Sequence, residues 1–359
     1  MKFQALFSRL SISFSYFSSN ALNITITRPN DPFIVGHPLS HAQSDADEIV
    51  RLFNNLGRTT TWKLIEKIPF EGDTYEPEGI VRLGPERYIV SAGEYTAPTI
   101  KYNQTTNGTD RSAGAGFAHL LVFNNQGQRI ADATLTRRGD IEYHIGGLDW
   151  DGQALWATLA QYRPNTTAAV VRVDQGMEPT TVLRARDHLG GIVHDVEGQR
   201  VTALNWGGRN ATTWTLLDGA ALPVGPETPR PPSDDALWAA PVSTVRNPSF
   251  FVDYQDCKFL GRTAYYQHRT TVMLCGGVAT VGSGDRSYNL GGLALVDAAT
   301  MAPLAEVPVT MTSDKGVPLT QNPVDVAVVD GQLRAYFLPD QRNSTLYVYE
   351  AQADSPYQY

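Results

Sequence analysis

From about residue 58 onward, short apolar runs alternate with glycine-centred turns. The recurring unit is an apolar strand, a Gly turn and a second apolar strand. It appears at Gly79–Gly84 before Tyr88, at Gly147–Gly152 before Leu155, and at Gly191–Gly198 before Val201. It recurs at Cys257–Gly261 before Thr263-Ala264-Tyr265-Tyr266, and at Val326–Gly331 before Leu333. Glycine accepts φ > 0 without steric cost, so a Gly or Asp-Gly between alternating runs predicts a tight hairpin. Further strands follow the hairpins, as at Leu120–Asn124, Ala168–Asp174, Gly292–Asp297 and Leu346–Glu350.

The turn glycines 84, 152, 198, 261 and 331 recur every 46–70 residues. The shortest interval matches a four-stranded propeller blade, and the longer ones carry insertions. Short antiparallel strands repeated in this way protect their edges by radial arrangement. The fold read from the chain is an all-β, five-bladed β-propeller, with six blades as the alternative if an insertion hides a degenerate blade. The last unit has only three strands, so Thr60–Lys67 is predicted to supply its fourth and close the ring. A two-sheet sandwich competes, but it needs no such periodicity.

Ser44–Leu56 reads as one short helix, with Ser44 as cap, acids in the first turn and Gly57 at its end. It is expected to pack on the outside of the ring. Residues 1–21 carry Lys2, a semi-apolar stretch and a small-residue cleavage pattern ending at Ala21, which reads as a signal peptide. The remaining division is an extension over 22–57, the propeller over 58–350 and a tail over 351–359. Sequons at Asn23, Asn103, Asn107, Asn165, Asn210 and Asn343 fit a secreted glycoprotein. The alternative is a cytoplasmic chain with a Ser-rich start. In an oxidising compartment Cys257 and Cys275 can join neighbouring strands.

The net charge of −8 and the absence of a Lys/Arg block argue against a nucleic-acid partner. No apolar run is long enough for a membrane span. The expected partner is a small molecule or a glycan, and the expected state is a monomer. No G-x-S-x-G, H-E-x-x-H, P-loop or EF-hand motif occurs, which disfavours α/β-hydrolase, zincin and nucleotide chemistry.

Aligning the units on their turn glycines places Glu76, His144, His188, Asp253 and Pro323 at one mouth of the ring. Glu78 and Asp325 stand two residues further along two of these strands. The second-strand ends add Glu94-Tyr95, Gln161-Tyr162-Arg163, Asn205-Trp206 and Gln267-His268, and His119 begins a third strand at the same end. A repeated lectin pocket would place like residues at like positions. These differ, so they predict one asymmetric central site, suited to a hard cation or an acid–base pair. Glu76, Glu94, His119, Arg163, Trp206 and His268 are candidate pocket residues. Trp150, Trp156 and Trp214 read as inter-blade core, and the Gly pairs after His144 and His188 read as crowding near the axis.

The strings Tyr143–Trp156, Gln161–Asn165, Asp187–Asp195, Asp253–Cys257 and Met273–Gly277 resemble a family of fungal and bacterial proteins grouped as a domain of unknown function. That resemblance spans roughly residues 58–350 and implies a secreted, propeller-like protein. Glu78-Gly79 at the start of the first blade is similar to the calcium-dependent lactonases of the gluconolactonase and senescence-marker type. This second resemblance implies a calcium site of Glu78, Asn205 and Asp253, with His144, His188 or Asp325 handling protons. The resulting expectation is a metal-assisted lactone or ester hydrolase, or another small-metabolite enzyme. The alternative is a non-catalytic glycan-binding propeller.

Overall fold

The computed structural model describes residues 23–216, 237–267 and 270–352. The leader, the Pro-rich insertion, His268 and most of the tail lie outside the described residues. Five antiparallel sheets form the blades of a propeller, each with its first strand innermost. Blade 1 runs Glu76–Leu83, Arg87–Ala97, Ala115–Asn124 and Arg129–Thr134, with Asn23–Ile26 added outside it. Blade 2 has an inner strand interrupted at Gly146-Gly147, then Leu155–Ala160, Ala168–Val173 and Pro179–Ala185. Blade 3 comprises Gly191–Asp195, Arg200–Leu204, Asn210–Thr215 and Ser243–Arg246. Blade 4 comprises Asp253–Gly261, Val272–Val281, Tyr288–Asp297 and Pro303–Val309. Blade 5 comprises Val324–Val329, Gln332–Phe337 and Thr345–Gln352, and the early strand Thr61–Pro69 pairs with the last of these. The ring is thus closed by the segment whose absence from the last repeat predicted it.

Each strand turns one row of side chains toward each neighbouring blade, so the core is divided into five inter-blade layers. Val81, Ile89 and Val171 fill the layer between blades 1 and 2. Trp156, Leu183 and Trp214 fill the next, between blades 2 and 3. Ile80, Phe123, Tyr336 and Leu346 seal the seam where blade 5 meets blade 1. Trp150, Trp156 and Trp214 are all buried, as expected of core residues.

Two readings need correction. In blade 4 the strand after Gly261 is not Thr263–Tyr266 but Val272–Val281. Its register is fixed by Cys257 opposite Cys275, which are joined by a disulfide. Gln267, beside His268, therefore belongs to the turn-side loop rather than the predicted mouth. The second concerns where the helix packs. The expected helix is present as α2 (Ala46–Phe53), preceded across Asp45 by the single turn α1 (His41–Ser44), and it lies across the turn-side face rather than outside the ring. Ala42 sits at Gly261 and Gln43 at Gly152. Ile49, Val50 and Phe53 cover the layer between blades 4 and 5.

Candidate functional site

The inner strands bring their backbones together at the axis, and carboxylates satisfy the N–H groups exposed there. Asp256 accepts from Ile80 N and Leu148 N at 3.2 Å each, and from Lys258 Nζ at 2.6 Å. Asp149 accepts from His194 N at 2.8 Å and Phe259 N at 3.2 Å. Asp325 does the same for Arg82 N at 2.7 Å, and its other oxygen meets His41 Nε2 at 3.0 Å. Asp325 therefore holds blade 5 to blade 1 and to α1. It was expected to be catalytic, but it does not face the cavity described next.

On the face opposite the helices the inner strands part around a cavity of about 710 Å³. Its lining includes Glu76, Glu78, His144, His188, Asn205, Trp206 and Asp253. Seven of the residues picked from the repeat alignment thus border one space. Glycine makes the convergence possible. A Cβ on Gly146 would lie 1.7 Å from Gly190 O, and one on Gly79 2.4 Å from Leu148 N.

His144 and His188 stack with ring centroids 5.4 Å apart. His188 Nδ1 donates to Gln161 O at 2.8 Å, which leaves Nε2 as the bare nitrogen of the neutral ring. Burial, aided by the positive charge of Arg111 and opposed by that hydrogen bond, pushes His188 down to about 4. Burial and then His188 hold His144 well below the ordinary imidazole range. His144 Nδ1 has no hydrogen-bond partner and lies 4.0 Å from Glu78 Oε1. Burial, then the Glu76 and Asp256 charges, raise Glu78 well above the carboxylate range. Glu76 is raised by burial, against hydrogen bonds from Tyr95 and Gln341. Its Oε2 accepts from Tyr95 OH, and its Oε1 from Gln341 Nε2 at 2.8 Å. The floor of the cavity thus sets proton-poor imidazoles beside proton-retaining carboxyls.

Glu76, Glu78 and His144 each offer a ligating atom, all within 4.8 Å of one another, so an acidic group able to hold a cation is present. The calcium set drawn from resemblance is not assembled. Asn205 lines the cavity, but its Oδ1 accepts from Asn210 N at 2.7 Å and its Nδ2 donates to Asp187 at 3.2 Å. Asp253 is half exposed and paired with Arg209 at 3.1 Å.

Two second-strand ends are read one residue out of phase. Glu94 faces blade 5, beside His119 Nε2 at 3.4 Å, while His119 Nδ1 donates to Asp132 at 2.7 Å. His119 stacks on Tyr75, away from the cavity. Tyr95 takes the cavity side. Arg163 likewise folds back onto Gln161 Oε1 at 2.9 and 2.7 Å, while Tyr162 packs between His144 and Trp206 at 4.5 and 5.5 Å. Strand alternation inverts the face at each step, so Tyr95 and Tyr162 were within reach of the period-two rule once the phase is set from the inner strand. Arg111 had no such signal. It reaches over Trp206 at 4.8 Å from the hairpin Lys101–Thr106/Thr109–Arg111, an insertion outside the repeat.

Fold and site together define a five-bladed propeller with an asymmetric polar cavity on the face opposite the helices. The chain belongs to the family described as Family of unknown function (DUF6454), matched over residues 37–355. No curated protein matches it in sequence. Among solved structures it is similar to a luciferin-regenerating enzyme, at 9% identity and TM-score 0.40 over 82% of this chain and 95% of that one. It is also similar to the calcium-binding protein regucalcin from Agrobacterium tumefaciens, at 8% identity and TM-score 0.39 over 81% and 96%. The WD40 domain of Toxoplasma gondii coronin aligns at 8% identity and TM-score 0.33 over 84% and 89%. No helix among the described residues is long and apolar enough to cross a membrane.

Proposed function

We propose that the chain is a secreted enzyme that hydrolyses an ester or lactone of a small polar metabolite in this cavity. The observation that carries the reading is His188. Its tautomer is fixed by Gln161 O, its Nε2 is bare at neutral pH, and it stacks on His144, which lies 4.0 Å from the Glu78 carboxyl of raised proton affinity. Paired groups whose environments drive their proton affinities apart are the usual basis of acid–base chemistry at neutral pH. Water attacks the acyl carbon and gives its proton to His188 Nε2. The acyl–oxygen bond breaks, and the departing alkoxide takes that proton from His188 Nε2, which returns the imidazole to its neutral form. A cation bound at the acidic floor would replace the proton on Glu78 and polarise the carbonyl. Tyr162 and Trp206 form an apolar wall against which the substrate body can lie.

The Cys257–Cys275 disulfide and the exposed sequons Asn103 and Asn343 support an oxidising, secretory setting. A mass shift of the secreted chain on deglycosylation checks this.

The test of the reaction is a panel of small esters and lactones. His188→Gln is expected to lower kcat/KM by about 10²–10⁴ with the melting temperature unchanged. A variant as fast as wild type overturns the assignment. The second reading, a glycan-binding module, is favoured by Trp206 lining the same cavity as the amide side chains of Gln255, Asn289 and Gln321. Saturable glycan binding without any turnover, lost in Trp206→Ala, would establish it instead.

A further inference from the structure

The cavity floor contains one unsatisfied buried nitrogen within reach of two carboxyl groups. His144 is only 4% exposed, and its Nδ1 has no hydrogen-bond partner. Glu78 Oε1, 4.0 Å away, is beyond hydrogen-bond reach. Among the described residues, neither Glu76 nor Glu78 has a Lys or Arg within ion-pair distance. A buried ring nitrogen without a partner, set beside two carboxyl groups, is an arrangement that a shared cation completes.

We propose that Glu76, Glu78 and His144 form a binding site for one first-row transition ion of the zinc or manganese class, and not for calcium. The proposal rests on reading this cavity as the reaction centre, and it names the ion that the centre takes. Ligands ~2.1 Å from a tetrahedral ion are ~3.4 Å apart. The three donors lie within 4.8 Å of one another, and side-chain rotations toward a shared ion close that gap. Calcium takes six to eight oxygen ligands, whereas imidazole nitrogen favours zinc and its neighbours in the first row. The oxygen donors that calcium would need are engaged elsewhere, Asn205 by Asn210 N and Asp253 by Arg209. The outer support of a transition-metal site is present. Tyr95 OH and Gln341 Nε2 each donate to a Glu76 oxygen and orient the carboxylate. Three protein ligands leave the remaining positions open to the cavity for water or substrate.

The experiment uses the full chain, stripped with chelator and titrated calorimetrically with Zn²⁺, Mn²⁺ and Ca²⁺. Melting curves are recorded in parallel, and an absorption spectrum of the Co²⁺ form is taken. One equivalent of Zn²⁺ is expected to bind and raise the melting temperature, while Ca²⁺ at the same concentration does neither. Glu78→Gln and His144→Gln are expected to abolish that binding. Tyr95→Phe, which removes only the supporting hydrogen bond, is expected to weaken it by about 10–100-fold. Should His144→Gln fail to fold, Tyr95→Phe and a Co²⁺ spectrum with visible bands of nitrogen–oxygen ligation decide the matter. Failure of the wild type to bind, binding that survives Glu78→Gln and Tyr95→Phe alike, or tighter binding of Ca²⁺ than Zn²⁺ would each overturn the proposal. Binding is read without substrate. Ion uptake as described with no turnover of any ester or lactone sinks the hydrolase reading alone, and turnover by a chain that takes up no ion sinks the ion site alone.

Discussion

The glycines of the inner strands and of their turns have two different duties. Gly146 and Gly79 exist for space, because a methyl group at either would collide with the backbone of the next blade. Gly331 exists for its φ of +74° in the last hairpin turn, where a Cβ would meet nothing within 4 Å. Gly331→Ala is therefore expected to cost about 1 kcal/mol, the penalty of the left-handed conformation. Gly146→Ala is expected to cost more than about 4 kcal/mol or to prevent folding, since backbone cannot yield as a side chain does. Denaturant midpoints of the two variants check this, and equal losses would contradict it. The same crowding explains what could be read residue by residue. Glu76, Glu78, His144, His188 and Asp253 were placed at one mouth of the ring because the glycine turns set their register, and all five line the cavity. Glu94 and Arg163 were chosen over Tyr95 and Tyr162 because chemistry was weighed at strand ends before the alternating face was fixed.

At the scale of elements, α1 and α2 act as a strap across the turn-side face. His41 donates from Nδ1 to Asp45 at 2.8 Å and from Nε2 to Asp325 at 3.0 Å, the pattern of an imidazolium. Burial would depress this group, but the charge and hydrogen bond of Asp325, with those of Asp45, push it up to about 10. The two carboxyls are lowered in return. A raised His contributes stability that is complete below its unfolded value of about 6.5 and is lost as pH rises through about 10. The lowered Asp groups contribute stability present above about 4 and lost as pH falls further. The melting temperature is expected to decline between pH 6.5 and 10, and the decline should flatten in His41→Asn. An unchanged slope in that variant would remove the strap from the account. The strap was illegible in the sequence because a helix pattern shows its apolar face and not the surface that receives it. Asp325 was misassigned for the same reason, as its partner His41 lies 284 residues away. In blade 4 the disulfide closes an 18-residue separation between paired strands. Replacing both cysteines by Ser is expected to cost about 3 kcal/mol, measured by denaturant unfolding.

For the whole molecule, five blades around one axis place unlike residues from distant parts of the chain on a common floor. The blade number and the closing strand were legible, because both follow from the repeat and its one missing strand. Which of the gathered polar groups hold the ring together, and which are left over for chemistry, was not legible. That distinction depends on hydrogen bonds across the axis. Asp256, Asp149 and Asp325 are consumed by backbone N–H groups, whereas Glu78, His144 and His188 are left facing the cavity. The central claim is that this remainder includes an available base. It is tested most directly by nuclear magnetic resonance of the full chain labelled with ¹⁵N only at histidine. His188 is expected to carry its proton on Nδ1, to be neutral at pH 6 and to titrate near 4. A His188 that is already imidazolium at pH 6, or that carries its neutral-form proton on Nε2, would contradict the account.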